Sequence, residues 1–284
     1  MIEMLVKPKR AERRPWEMFF VGLFYASVSL LLVTFFFSAD FVLKDGSGLL
    51  VVIFTVIACL PFMYYVIKLE EGKDVEINDS GKLIKEHSKA IRALMWLFLG
   101  FVVAFSLWYI VLPDSASQSF NFQIKTFCAI NSPSYYSNCL EEHGLSIATG
   151  AVTQGSHFFM IFSNNIKVLI FTIIFSLIFG AGAIFILVWN ASVIGAAIGI
   201  FAKGSLSNLP SGIFRYMVHG IPEISAYFVG ALAGGIVSVA VIRKDLRGEG
   251  TWKILQDSLL MVIIAIVILI IAGLMEVYLT PLLF

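Results

Sequence analysis

His219-Gly220-Ile221-Pro222-Glu223 sets an imidazole and a carboxylate four positions apart. On a continuous helix that spacing puts both on one face. Such a pair can bind an ion or pass a proton near neutral pH. Asn164-Asn165 with Lys167 forms a second polar cluster, and Asn190 stands alone between them. All lie in or beside sequence apolar enough to enter a bilayer, where polar groups are expensive, so each is a candidate site. A plainer role also fits. Pro222 suits the first turn of a helix, Glu223 then meets the positive end of the helix dipole, and Lys167 or backbone N–H groups would neutralise it. A buried or half-buried Lys167–Glu223 ion pair is the specific expectation, since both residues start apolar stretches from the same side. Asn190 is expected to hydrogen-bond a neighbouring helix; its Asn190-Ala191-Ser192 sequon lies too deep to be glycosylated.

The elements that hold these residues follow from composition. Of 284 residues, 59% are hydrophobic and 14% charged, against about 45–50% and about 25% in soluble domains. Long unbroken apolar runs rather than short alternating strands exclude a barrel. The chain reads as an all-α, polytopic transmembrane helical bundle. A span needs about 20 apolar residues. Trp16–Ser38, Gly48–Ile67, Ala93–Leu112, Ile221–Ile242 and Ile254–Met275 qualify. The stretch His157–Lys203 is too long for one crossing and predicts a central helical hairpin, spans 159–179 and 183–203. Gly180-Ala181-Gly182 is the expected reversal, with Asn190 as a second candidate. That makes about seven spans. The apolar run after residue 15 is too long for a cleaved signal core and reads as a retained span. Net charge is +1, so nothing points to nucleic acid.

Lys and Arg in the loops set orientation. Residues 1–15, the segment 69–92 and the loop after Ile242 are basic and read as cytoplasmic. The loop 113–158 and the C-terminus read as extracytoplasmic, in a plasma membrane. This parity holds only if 159–203 crosses twice. Cys128 and Cys139 share the outer loop, and an oxidising exterior predicts a disulfide. Two cysteines alone are too few for a structural zinc site, although His143 and His157 lie in the same loop; no metal and no cofactor is expected. The mixed charges of 69–92 read as a solvated connector. Gly195/Gly199 and Gly230/Gly234 form GxxxG pairs, which permit close helix packing or a homo-oligomer. Ser205–Tyr216 reads as interfacial or partly re-entrant. No nucleotide fingerprint, P-loop or zinc-protease helix is present.

The asparagine pair before an apolar, Gly-rich hairpin, Asn190 followed by Gly195, and His219-Gly220-x-x-Glu223 together resemble the stage II sporulation protein M family, over roughly residues 93–275. The resemblance implies a multi-pass protein that anchors partner proteins at the membrane, as in the complex that remodels septal peptidoglycan during engulfment, and that is not itself an enzyme. It marks Asn164, Asn165, Asn190, His219 and Glu223 as family-characteristic. Relatives occur in organisms that form no spores. The front spans and the Cys-bearing loop depart from the sporulation protein and speak against a sporulation role. Residues 1–92 then form an N-terminal addition with its cytoplasmic connector, and 93–284 a five-span domain. The expected function is a membrane scaffold or assembly component, with partner proteins or a homo-oligomer besides the lipid bilayer. A channel or transporter using the Asn/His/Glu cluster is the alternative. An intramembrane enzyme ranks below both, because neither a nucleophile nor a complete metal shell can be assembled.

Overall fold

In the computed structural model, residues 5–37, 43, 46–77, 79–112, 118–131, 136–142, 157–179, 182–202, 205–242 and 249–283 are described, and among them there is no strand. A short helix α1 (Pro8–Arg13) begins on a proline at its first position, where the missing N–H is no loss. It leads into α2 (Glu17–Phe36), and Arg10 grips Glu17 through two hydrogen bonds of 2.7 and 3.0 Å. Then follow α3 (Ser47–Glu76) and α4 (Ser80–Val111), the latter capped by Asp79, whose carboxylate accepts from the Lys82 N–H. Two shorter helices, α5 (Asn121–Asn131) and α6 (Tyr136–Glu142), precede α7 (His157–Phe179) and α8 (Ala183–Ala202). A 3₁₀ turn (Leu206–Asn208) opens α9 (Leu209–Ile242). The chain ends with α10 (Glu249–Leu274), a π-helical turn (Met275–Leu279) and α11 (Thr280–Leu283).

Among the described residues, seven helices are long and apolar enough to cross a membrane. The hairpin is formed by α7 and α8, with Gly182 in the turn, its carbonyl accepting from the Phe185 N–H at 3.0 Å. Gly180 and Ala181 lie outside the described residues. Asn190 is well inside α8 and breaks nothing. The bundle is built around α9: 83% of its apolar window is buried, against 22% for α7 and 33% for α10. Those two flank it, and α4 packs on both α2 and α8. Exposed Phe20, Phe24 and Phe35 on α2, with Ile263, Val267 and Ile270 on α10, give the bundle its lipid-facing surface.

Three helices of 30 residues or more overshoot the roughly 30 Å hydrocarbon core by about half or more at 1.5 Å per residue. α3 and α4, with 30 and 32 residues, project at the same end, past Ile67 and before Ala93. α9, with 34 residues, begins twelve positions earlier than Ile221. Pro222 is therefore inside a helix rather than in its first turn, a correction to the expectation above. Neighbouring helices make such a proline tolerable within a membrane bundle.

The segment 69–92 also differs from the expected solvated connector. Buried positions on α3 run Cys59, Phe62, Met63, Val66, Ile67, Glu70, Glu71 and Asp74. This is one continuous stripe at helical spacing. Its last three members are carboxylates, and His87 on α4 is buried against them. One face of the segment is thus the charged end of the core, while Glu76, Asp79, Lys82 and Lys85 stay exposed as expected of a connector.

Candidate functional site

Two polar constellations stand on different helices of the bundle. The first is built on α9, where Arg215, His219, Glu223 and Tyr227 recur every four residues. His219 Nδ1 is 3.2 Å from Thr280 Oγ1, and that hydroxyl donates to the Met275 carbonyl. The hydroxyl oxygen thus accepts, which assigns the imidazole proton to Nδ1. The Tyr227 hydroxyl donates to Glu223 Oε1 at 2.8 Å, and Tyr227 is wholly buried. Glu276, in the π-helical turn, is close enough to Glu223 and Tyr227 for their charges to interact. Arg215 stacks its guanidinium over the Phe201 ring at 5.3 Å. Single π-helical turns recur at functional sites, and this one sets a second carboxylate against Glu223.

The other motif residues are not gathered there. Lys167 is exposed on α7 and forms no ion pair with Glu223, which takes its hydrogen bond from Tyr227. The expected Lys167–Glu223 pair is thus corrected: Lys167 turns outward while Glu223 faces the C-terminal helix. Asn164 donates to Asn165 at 3.5 Å; Asn165 is buried and Asn164 exposed. Asn190 donates to Ile186 O of its own helix at 2.7 Å instead of bridging to another. The glycines sit at close helix contacts. A Cβ built on Gly195 would meet Phe105, one on Gly199 Tyr109, one on Gly230 Leu169, and one on Gly234 the Ile173 carbonyl oxygen. Cys128 and Cys139 form a disulfide joining α5 to α6. Gln123 on α5 donates to Gly48 O at 3.0 Å and Ser192 Oγ at 3.1 Å, fastening this cap to α3 and α8.

The second constellation occupies the projecting end of α3 and α4, outside the spanning segments. Lys73 Nζ donates to Glu12 Oε1 at 2.7 Å and Glu70 Oε1 at 2.8 Å. His87 Nδ1 lies 2.7 Å from Glu70 Oε2, and its Nε2 lies 3.6 Å from Asp74 Oδ2. Lys253 Nζ donates to the carbonyls of Asp74 and Ile77, at 2.9 and 2.5 Å. Burial pushes the His87 pKa down, but Asp74 and Glu70 outweigh it and raise it to about 9. Both ring nitrogens face carboxylates, so His87 is an imidazolium at neutral pH. Burial likewise pushes Glu70 up, yet hydrogen bonds with His87, Glu12 and Lys73 leave it below its ordinary value. Asp74 is held above its ordinary value by burial, more than His87 lowers it. The distances agree: Glu70 is the tight partner of His87 and Asp74 the looser one. Among the described residues, no group of three or more His, Cys, Asp or Glu side chains is placed to hold a metal ion.

The sequence reading left Glu70, Asp74 and His87 within a solvated connector and passed over Glu276. For the first two a signal existed, because Glu70 and Asp74 continue the apolar period of α3. Glu276 gave a weaker one, a lone acid at the end of the last apolar run.

A multi-pass helical bundle that holds two polar constellations between its helices defines the class of protein. The family model for stage II sporulation protein M matches residues 93–281, and the chain belongs to that family. An uncharacterized protein of Methanocaldococcus jannaschii is 32% identical over 126 residues, covering 43% of this chain and 69% of the relative. No solved structure matches.

Proposed function

We propose that the protein is a membrane scaffold that anchors partner proteins and carries out no enzymatic step of its own. One observation carries this reading: the disulfide-closed α5–α6 cap is a fixed platform on the bundle. Phe120, Gln123, Ile124, Cys128 and Leu140 are buried beneath it, while Phe122 and Ile130 face outward. Family membership supports the same role. We place the cap outside a plasma membrane and the N-terminus in the cytoplasm. In support, the basic segments around Lys73 and Lys253 meet at one end of the bundle, with the disulfide at the other.

Photo-crosslinking from Phe122 or Ile130 in intact cells tests the scaffold. The expected result is one discrete adduct with the same partner from both positions, unaffected by Glu223→Gln. Adducts scattered over many proteins would overturn the reading. A second reading, transport of an ion or proton, is favoured by the Glu223–Glu276–Tyr227 grouping on a π-helical turn. Proteoliposomes carrying the protein would then show a flux abolished by Glu223→Gln or Glu276→Gln.

A further inference from the structure

A cavity of about 600 Å³ opens at the charged end, where α1 lies against α3 and α4. Lys9, Arg13, Lys73, Lys89 and Arg92 line it, with Glu12 as its acidic member. Glu12 is taken up by Lys73, and Lys89 is held by Glu86 at 2.6 Å. Lys9 and Arg13 have no ion pair among the described residues. Arg92 uses only its Nε, on Ser88 O at 3.4 Å. The cavity thus holds more positive charge than its own carboxylate answers. Two guanidiniums in one concavity suit the tetrahedral oxygens of a phosphate.

Depth distinguishes among phosphate ligands. Pro15 and Leu69 form the apolar part of the wall. Next to Pro15, Trp16 is 52% exposed, and Trp96 on α4 is 40% exposed. Tryptophans so placed mark the headgroup level of a bilayer. Below Trp16 the exposed Phe20 and Phe24 continue down α2 as a surface for acyl chains. Basic pockets between helices at this level bind anionic headgroups. We propose that this cavity binds the phosphate of an anionic phospholipid from the leaflet on the α1 side. The inference goes beyond the scaffold reading and does not depend on it.

The test uses the full-length protein in neutral detergent, titrated with dioleoylphosphatidylglycerol and followed by native mass spectrometry. One tightly held lipid is expected. Arg13→Gln with Arg92→Gln should weaken it about 30-fold, at about fivefold per cation. Arg13→Lys with Arg92→Lys keeps the charge and should retain most of the binding. Dioleoylphosphatidylcholine should bind weakly, and alike to all three proteins. If the Gln pair does not fold, Lys9→Glu on the exposed side of α1 reads out the same loss. Equal phosphatidylglycerol binding by wild type and charge-depleted protein would overturn the proposal. Displacement of the lipid by equimolar inorganic phosphate would overturn the lipid assignment in favour of a free phosphate.

Discussion

His87 holds its protons between Glu70 at 2.7 Å and Asp74 at 3.6 Å, with 2% of its surface exposed. An unfolded histidine titrates near 6.5, and here the value is about 9. A raised pKa means the imidazolium stabilises the folded state fully below about pH 6.5. That contribution is lost as pH rises through about 9. His87→Gln should lower stability at pH 7 by about 3–5 kcal/mol, because it leaves buried carboxylates uncompensated. The difference from wild type should shrink by pH 9.5, read as thermal midpoints in detergent. A gap that stays constant from pH 6 to 9.5 would contradict the ion pair. On α9, Tyr227→Phe removes the hydrogen bond that Glu223 accepts and should cost about 1–3 kcal/mol. A thermal midpoint equal to wild type would show that the hydroxyl is replaceable. His219 and Glu223 drew notice in the sequence because charge interrupts apolar runs there. His87 did not, because charged residues beyond a span ordinarily face water, and only the packing of α4 on α3 buries it.

Helix contacts depend on where the bundle lacks side chains. Gly22 on α2 and Gly100 on α4 face each other, with 3.3 Å from the Cβ site of Gly22 to the Gly100 Cα; the Cβ site of Gly100 falls 2.8 Å from the Leu23 nitrogen. Backbone cannot yield as a flexible side chain can, so Gly22→Ala or Gly100→Ala should destabilise by about 1–3 kcal/mol. Gly72→Ala is the control: nothing lies within 4 Å of its Cβ site, and it should be neutral or stabilising by about 0.5–1 kcal/mol. Equal effects at Gly22 and Gly72 would refute the close α2–α4 contact. The GxxxG pairs were visible because both members share a helix, whereas Gly22 and Gly100 are lone glycines on different helices. The Cys128–Cys139 bridge was legible from compartment alone. Cys139→Ser should lower the stability of the cap by about 2–4 kcal/mol, seen as faster proteolysis of α5–α6; an unchanged cleavage rate would make the bridge dispensable.

At the scale of the whole molecule, the family region begins at Ala93, partway along α4. Apolar length and loop charge were enough to read seven crossings and the α7–α8 hairpin. They could not say how the front helices dock, since that depends on contacts between helices distant in sequence. The docking is extensive. α2 lies along α4, and α3 reaches α8 and α9. Glu70, Lys73 and Asp74 belong to α3, while His87, ahead of Ala93 on α4, and Lys253, on α10, come from later helices. The charged network therefore acts as a clasp between two parts, α1–α3 and the helices from α4 onward. Cutting the chain between Ile77 and Asn78 leaves Asp79 to cap α4 and separates the clasp into halves. Co-expressed, fragments 1–77 and 78–284 should insert independently and co-purify through a tag on either one. His87→Ala in the second fragment should cut recovery of the first severalfold. The same substitution in the uncut chain, where the covalent link holds the parts together, should lower thermal stability without losing the front helices. If the fragments fail to associate, the front helices are tethered rather than docked; if His87→Ala leaves recovery unchanged, α2–α4 packing alone joins the two parts.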